Sequence, residues 1–534
     1  MQNQISAGSV ERRAVISVSD KTGVTEFAAG LREILPDIRI ISTGNTARTL
    51  DQAGIAVTPI EDITGFPEIL EGRVKTLHPV IHGGILADLQ NPGHLEDLQR
   101  HDISPVDIVV VNLYPFQKTV AQKGVTRAEA VENIDIGGVT LIRAAAKNAD
   151  RVIVICDPAD YQLVLEELRA KHGMLSFDTR VRLAIKAFDV TSQYDTAIAN
   201  YLDRPEGEKF ARHLRIVTGE SVEFRYGENP HQKGVLYPVE TTDPLAWYRF
   251  EVVQGKAMSY NNWLDLSAAC DAISYIGGER PASIVVKHTN PCGGAHAESI
   301  QEALENAWAG DALAAFGGIV AVNRPIDESL AVQMVKGKFM EIIAAPAITP
   351  EAREILAKKT DLRVLINSAL MNPMPSTDLS MKQIRGGMLV QEPDIVEVTA
   401  EDLEVLTDVA PTAKQVEDLL FAWQMCRTSK SNTITIARGG MLVGSGVGQQ
   451  DRKRCCELAV GKAVDKDTGE QRAEGAVAAS DAFFPFPDGP EILIAVGVKA
   501  IIQPAGSKRD QETIDLCNKY GIAMVRVPYR GFKH

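Results

Sequence analysis

Between residues 14 and about 200 one local pattern recurs, and it limits the possible folds more than any other feature of the chain. A short apolar run rich in β-branched residues leads into a loop of small polar residues, and a helix follows. Residues 14–18 read as a strand ending in Ser19-Asp20-Lys21-Thr22-Gly23, after which Val24, Phe27, Ala28, Leu31, Ile34 and Leu35 keep helical spacing. Residues 38–41 form the next strand, ending in Ser42-Thr43-Gly44-Asn45-Thr46 where another helix begins. Residues 106–111 are a buried strand running into Asn112-Leu113-Tyr114-Pro115-Phe116, and residues 151–156 are a further strand, with two helices filling roughly 158–200. Alternation of this kind predicts an α/β domain. Hydroxyls and backbone N–H groups gathered at a helix N-terminus suit a phosphate, and they equally serve as ordinary caps.

Residues 61–84 read as irregular and carry Gly72-Arg73-Val74-Lys75-Thr76-Leu77-His78-Pro79, a loop able to hold a phosphate or simply to be solvated. Beyond it, residues 132–135 lead to Gly137-Gly138 and a helix containing Arg143 and Lys147.

With 534 residues the chain is too long for one hydrophobic core, so two or three domains are expected. A charged segment with Pro and Gly at 203–215 separates a first domain, 1–203, from a second region, 216–534, with 204–215 as linker. The net charge of -14 argues against a general nucleic-acid binder or a polybasic membrane anchor. Seven scattered cysteines without a C-x-x-C pattern, a polar start at 1–13 and no bilayer-length apolar run point to a cytoplasmic enzyme.

The second region is also α/β. Strands are expected at 283–286, 318–322, 341–344, 363–366, 433–437, 499–502 and 523–527, with a helix at 412–425. Its length suggests two subdomains, with no internal repeat of fixed period. The first strand runs into Lys287-His288-Thr289-Asn290-Pro291-Cys292-Gly293-Gly294. A histidine there can take or give a proton near neutral pH, and the adjacent lysine favours its neutral form. Strand ends of open α/β sheets are where ligands bind. The same residues also suit a plain strand end with a Pro-Gly turn.

Gly444-Ser445-Gly446-Val447-Gly448 has the look of a dinucleotide loop, but Gln449 stands where the third glycine belongs, so no NAD site is expected. His296-Ala297-Glu298 has a zinc-deaminase form, but Ala295 replaces the cysteine that would complete P-C-x-x-C, so no zinc is expected. Residues 225–232, Arg-Tyr-Gly-Glu-Asn-Pro-His-Gln, are dense in groups that recognise phosphorylated ligands. Residues 480–489 offer aromatic walls and a carboxylate for a flat heterocycle, although Phe484 and Phe486 read better as core. The terminus Tyr529-Arg530-Gly531-Phe532-Lys533-His534 suits docking or fraying equally.

Together the stretches SVSDKTG, GRVKTLHP, NLYPF, IDIGGVTLIRAAAKN, RYGENPHQ, KHTNPCGG, AFGG, SDAFFPF and RGFKH resemble the bifunctional AICAR formyltransferase/IMP cyclohydrolase family over nearly the whole chain. The resemblance implies a methylglyoxal-synthase-like, doubly wound cyclohydrolase domain and a cytidine-deaminase-like transformylase region of two subdomains. By resemblance, Ser19, Asp20, Lys21, Thr43, Gly44, Asn45, Thr46, Arg73, Lys75 and Thr76 hold the cyclohydrolase nucleotide, with Lys75 also among the catalytic residues. Asn112, Tyr114, Asp135 and Lys147 handle its ring. In the transformylase, His288 is the base and Lys287 its partner and oxyanion stabiliser. Arg225, Tyr226, Asn262, Gly317, Glu341, Asn432, Arg530 and Phe532 contact AICAR, while Arg452, Phe483, Asp488 and Ser507 surround the folate. The family implies 10-formyltetrahydrofolate as co-substrate, formyl-AICAR as intermediate, a monovalent cation such as K+ near 429–433, no catalytic metal and a homodimer.

The chain departs from the family at Asn45, where Gly is usual and a left-handed φ is expected, and at Ala314, Pro487 and Gly531. Two rival readings are an inactive nucleotide- or folate-binding protein and a chain in which one domain alone is active.

Overall fold

The computed structural model describes residues 11–122, 124–203, 208–465 and 468–534. The chain divides into two compact units, residues 1–217 and 218–534. Of the segment read as a linker, 204–207 lie outside the described residues. Beyond them the backbone N–H of His213 and the Arg215 guanidinium both donate to Asp203 Oδ2, at 3.0 and 2.9 Å.

Unit 1 is built on β1 (Arg13–Val18), β2 (Arg39–Ser42), β3 (Thr58–Pro59), β4 (Ile108–Asn112) and β5 (Ile153–Ile155). All pairings are parallel, in the order β3-β2-β1-β4-β5. Ile108, Val109, Val110 and Val111 are all buried, as a central strand covered on both faces requires. The chain leaves β1 toward β2 on one side and later returns to β4 on the other. The β1 and β4 loops therefore flank a topological switch point, where such sheets open a crevice. Residues 61–84 are more regular than expected. Pro79–Leu86 is a helix, with Pro at its first turn and the Val80 N–H donating to His78 Nδ1 at 3.3 Å.

Unit 2 begins with a hairpin of β6 (Val222–Phe224) and β7 (Gly234–Leu236). Its main sheet takes β8 (Glu251–Gln254), β9 (Ala282–Lys287), β10 (Asn290–His296), β11 (Gly318–Val322), β12 (Met340–Ala345) and β13 (Arg363–Ile366). A second hairpin, β14 (Ser380–Ile384) with β15 (Gly387–Gln391), stands apart. The main sheet then resumes with β16 (Glu404–Val405), β17 (Ile434–Arg438), β18 (Met441–Gly446), β19 (Val477–Ser480), β20 (Ala500–Gln503) and β21 (Ala523–Arg526). The order is β16-β21-β20-β19-β17-β18-β10-β9-β11-β12-β13-β8.

This order is a duplication. In each half an edge strand precedes a long helix and an antiparallel hairpin, and three mutually parallel strands follow. The halves meet where β10 pairs with β18. No sequence period betrays it, because a core accepts many combinations of apolar residues once the pattern is kept.

Two glycine-rich stretches differ from expectation. Residues 290–296 are not a Pro/Gly turn but β10, antiparallel to β9. The turn is made by His288 and Thr289, whose φ values are 51° and 63°. Gly293 serves packing, since a Cβ there would collide with the Ala307 carbonyl of helix Ile300–Gly310. Likewise Gly444 and Gly446 lie within β18, their faces closed by Ala459 and Cys455 of helix Arg452–Lys462. They are contact points for a helix and not a dinucleotide loop.

Candidate active sites

In unit 1 the loops after β1, β2 and β4 leave the same edge of a parallel sheet. Asn112, last in β4, ties two of its neighbours there together. Its Oδ1 accepts the N–H groups of Ser19 and Asp20 at 2.6 and 2.9 Å, and its Nδ2 donates to the Asp20 carbonyl at 2.8 Å. That side chain fixes the loop and is not directed at a ring. Lys21 is similarly engaged, donating to the carbonyls of Val18 and Ser19 at 3.0 and 3.2 Å. Thr43 shares a hydrogen bond with Ser17 at 2.9 Å, and Thr46 binds the Val18 backbone. The helix Gly44–Gln52 therefore presents its N-terminus beside the β1 loop.

The 72–76 segment closes on this edge. Lys75 Nζ lies 3.7 Å from where a Gly44 Cβ would sit, and 3.0 Å from Glu68 Oε2. Thr76 Oγ1 sits against Gly137 at the start of helix Gly137–Lys147. Arg73 pairs with Glu132 on the surface. Asp135 precedes that helix, its Oδ1 accepting the Gly138 N–H at 2.7 Å. Tyr194 OH accepts the Asp135 N–H at 2.7 Å. Burial pushes the Asp135 carboxyl above the usual carboxylate range, and the N–H groups of Gly138 and Tyr114 oppose the shift. The Tyr114 ring is exposed.

Lys147 closes helix Gly137–Lys147, which Asp135 precedes, and the rise along the helix from Gly137 to Lys147 is about 15 Å. One expectation does not survive this geometry. Asn45 lies in the first turn of helix Gly44–Gln52, and the left-handed residue is Gly44, with φ 43°. Asn45 thus needs no glycine-like freedom.

In unit 2 the duplication collects the candidate residues on one edge of the twelve-stranded sheet. Lys287 ends β9, while Gly317, Glu341 and Arg363 lie at the beginnings of β11, β12 and β13, which run opposite to β9. The first half therefore uses the amino ends of its parallel strands, contrary to the carboxyl-end expectation. The second half uses carboxyl ends, with Asp481 after β19, Ser507 after β20 and Arg530 after β21.

Lys287 Nζ donates to the carbonyls of Phe316 and Gly317 at 2.9 and 3.1 Å, which leaves one ammonium proton to point elsewhere. Gly317 has φ 71°, and a Cβ there would sit 3.1 Å from that amine. His288 is exposed on the turn, its carbonyl accepting from Thr289 Oγ1 and Asn290 Nδ2 at 2.7 and 2.8 Å. Asn262 completes the capping box of helix Tyr260–Ile276 with Ser259 and donates to Glu341 Oε2 at 3.2 Å. Arg363 stands 3.8 Å from the same carboxylate. Tyr226, Asn262, Glu341 and Arg363 line a cavity of about 560 Å³ with Lys358 and Lys359. Arg225 lies over the Tyr226 ring at 5.7 Å.

Around the second half, Arg452 is not available to a ligand. Its guanidinium is buried and donates to Asp481 Oδ1, Ser480 Oγ and Asn432 Oδ1 at 2.5, 2.8 and 2.9 Å. Asp481 Oδ2 also accepts the Thr433 N–H at 3.0 Å. Arg452 thus supports the Asn432 loop from behind. Phe483 is exposed, Asp488 begins helix Asp488–Ala495, and the Ser507 N–H donates to Asp510 at 3.1 Å. Phe484 is core, whereas Phe486 is exposed beneath Arg509. Pro487 caps the Asp488 helix, and the Ala314 N–H donates to Asp311. The C-terminus docks. The Gly531 N–H donates to the Asp481 carbonyl, the Ser431 N–H to the Lys533 carbonyl, and Arg530 lies over Phe532 at 4.3 Å. Gly531 packs on Trp423 and Arg427. His296 ends β10 at the opposite edge, edge-to-face with Phe421 at 5.0 Å, away from His288.

The sequence reading missed Asp265 and Arg363. Asp265 could have been found from Asn262, because residues three apart share a helix face.

A doubly wound unit with a basic, hydroxyl-rich sheet edge, followed by a duplicated α/β unit with a Lys-His turn, defines a two-site enzyme. A profile of the MGS-like domain matches residues 23–140, and one described as AICARFT/IMPCHase bienzyme matches residues 145–462. The bifunctional purine biosynthesis protein PurH of Acetivibrio thermocellus is 46% identical over 98% of this chain and 100% of its own. The protein of the same name from Oceanobacillus iheyensis is 44% identical over 98% of this chain and 100% of its own. That from Chlorobium chlorochromatii is 45% identical, covering 98% and 99%. The chain belongs to the AICARFT/IMPCHase bienzyme family, and it is a bifunctional enzyme of purine biosynthesis. Its formyltransferase activity implies a folate co-substrate.

Proposed function

We propose that unit 2 transfers a formyl group from 10-formyltetrahydrofolate to the amino group of AICAR and that unit 1 closes the resulting formyl-AICAR to IMP. The observation carrying this reading is the 287–289 turn, which presents an exposed imidazole next to a fixed ammonium on the same sheet edge as Glu341 and Arg363, two residues that line a substrate-sized cavity. The AICAR amine is conjugated with its imidazole and is a poor nucleophile. As its nitrogen attacks the formyl carbon, His288 takes the amine proton. The remaining Lys287 proton meets the tetrahedral oxyanion. The bond to folate N10 then breaks, and that nitrogen is protonated as it leaves. Arg225, Tyr226, Asn262, Gly317, Glu341, Asn432, Arg530 and Phe532 hold AICAR. Phe483, Asp488 and Ser507 flank the folate.

In unit 1 the N-terminus of the 44–52 helix, with Ser19, Thr43 and Lys75, receives the nucleotide phosphate. The carboxamide nitrogen attacks the formyl carbon, and the formyl oxygen is protonated and leaves as water. Asp135, whose carboxyl is shifted upward by burial, carries a proton in these steps, and Tyr114 supports the oxyanion. Lys147 is the proton donor of this reading.

A homodimer is part of the proposal. Exposed Met381, Ile384, Met388 and Leu389 on the β14–β15 hairpin support self-association. A monovalent cation beside 429–433 and a cytoplasmic location belong to the same reading. Seven free cysteines, all buried, suit a reducing compartment.

The test is an absorbance assay with AICAR and 10-formyltetrahydrofolate on wild type, His288→Ala and Lys147→Ala. Wild type should make IMP. The His288 variant should fail at formyl transfer yet close supplied formyl-AICAR, and the Lys147 variant should stall at formyl-AICAR. A wild type that binds both ligands and consumes no folate would overturn the reading.

A further inference from the structure

We propose that Asp265 is a positioning residue for formyl transfer, its carboxylate fixing the 288–289 turn and setting the pH below which His288 ceases to accept a proton. The inference rests on His288 acting as the base. Asp265 lies on helix Tyr260–Ile276, one turn after Asn262, so both side chains face the reactive edge. Asn262 reaches Glu341, and Asp265 Oδ1 accepts the Thr289 N–H at 2.6 Å. That bond falls where the backbone needs support. His288 and Thr289 are consecutive non-glycine residues in the left-handed region, and Thr289 is β-branched. A hydrogen bond to a carboxylate is stronger than one to a neutral acceptor, and this one holds the residue next to the imidazole.

The electrostatics agree with the geometry. Burial pushes the Asp265 carboxyl up, and Glu341 adds to that. The Thr289 N–H, His288 and Lys287 pull it down, which places the imidazole and the ammonium within the reach of its charge. The charged groups acting on Asp265 are His288 on the turn, Lys287 on β9 and Glu341 on β12, the last 3.8 Å from Arg363. From the 429–433 loop the Lys430 backbone N–H holds Asn290 at 3.0 Å. When His288 takes the amine proton it becomes a cation, and an ionised Asp265 favours that state. Lys287 opposes it.

The experiment is the pH profile of formyl transfer by the full chain carrying Asp265→Asn or Asp265→Glu. Ring closure of supplied formyl-AICAR is measured in the same preparations as a check of chain integrity. Asp265→Asn keeps an oxygen acceptor but removes the charge. Its kcat should fall about tenfold, its AICAR KM should stay within about twofold, and its acid limb should move to lower pH. Asp265→Glu keeps the charge but misplaces it, so kcat should fall while the limb stays. A purely structural residue would lower kcat without moving the limb in the Asn variant, and that result overturns the proposal. Should the Asn variant fail the ring-closure check, the Glu variant decides, and a kcat equal to wild type rejects the assignment. His288→Ala runs alongside. If it retains formyl transfer, the base assignment has failed and not the role of Asp265.

Discussion

Replacing Arg452 by Met separates a structural role from a ligand-binding one. The guanidinium makes three hydrogen bonds inside the protein, and its partner Asp481 is fully buried. Removing the cation leaves a buried carboxylate held only by the Thr433 N–H. Breaking a buried pair from one side costs about 3–5 kcal/mol, because the surviving charge remains desolvated. All four tryptophans, Trp247, Trp263, Trp308 and Trp423, lie in unit 2, so tryptophan fluorescence during urea unfolding reports that unit. With a urea dependence of about 3 kcal/mol per molar, the midpoint should fall by about 1 M or more. Arg452→Met combined with Asp481→Leu should lose less than Arg452→Met alone, since no unpaired charge is left. Formyl transfer should fall through disorder of the Asn432 loop, without a selective rise in folate KM. A stability loss under about 1 kcal/mol together with a tenfold rise in folate KM would refute the reasoning and return Arg452 to the folate site.

Two further outcomes follow from the site geometry. Gly317→Ala places a Cβ 3.1 Å from Lys287 Nζ at a φ of 71°, so formyl transfer should drop about tenfold while closure of supplied formyl-AICAR is unchanged. Equal loss of both activities would contradict this. Asp135 is held above its ordinary titration range by burial, so the folded state binds its proton more tightly than the unfolded chain does. Its favourable contribution is complete below the unfolded value and is lost as pH rises through the folded value. Asp135→Asn should therefore stabilise unit 1 at pH 8, with the gain shrinking toward pH 3, and should abolish ring closure. Circular dichroism at both pH values checks the sign.

Much of the architecture was legible in the residues. The buried run at 108–111 and the polar loops after β1, β2 and β4 announced an α/β unit, because a strand covered on both faces must be apolar throughout. The Lys287-His288 pair was legible as chemistry at a strand end. What misled were the glycines. Gly293, Gly444 and Gly446 look like loop residues, but each lies where a helix backbone packs directly on a strand. Composition alone does not distinguish a glycine that turns from one that lets another backbone approach. The roles of Arg452 and Asn112 were hidden for a related reason. A polar side chain in a motif can meet a ligand or hold the loop that meets it, and only the position of its partners tells which.

By itself the sequence determined most of the strands and helices, the family and the chemical groups available, because hydrophobic period, loop composition and motif order are local properties. Tertiary structure decided which of those groups share a site. It brought Asp265 to the His288 turn through a helix face. It also gathered, along one sheet edge, the starts of β11 to β13 and the ends of β19 to β21. Strand direction within a sheet arises from pairing between distant segments, and no local pattern encodes it.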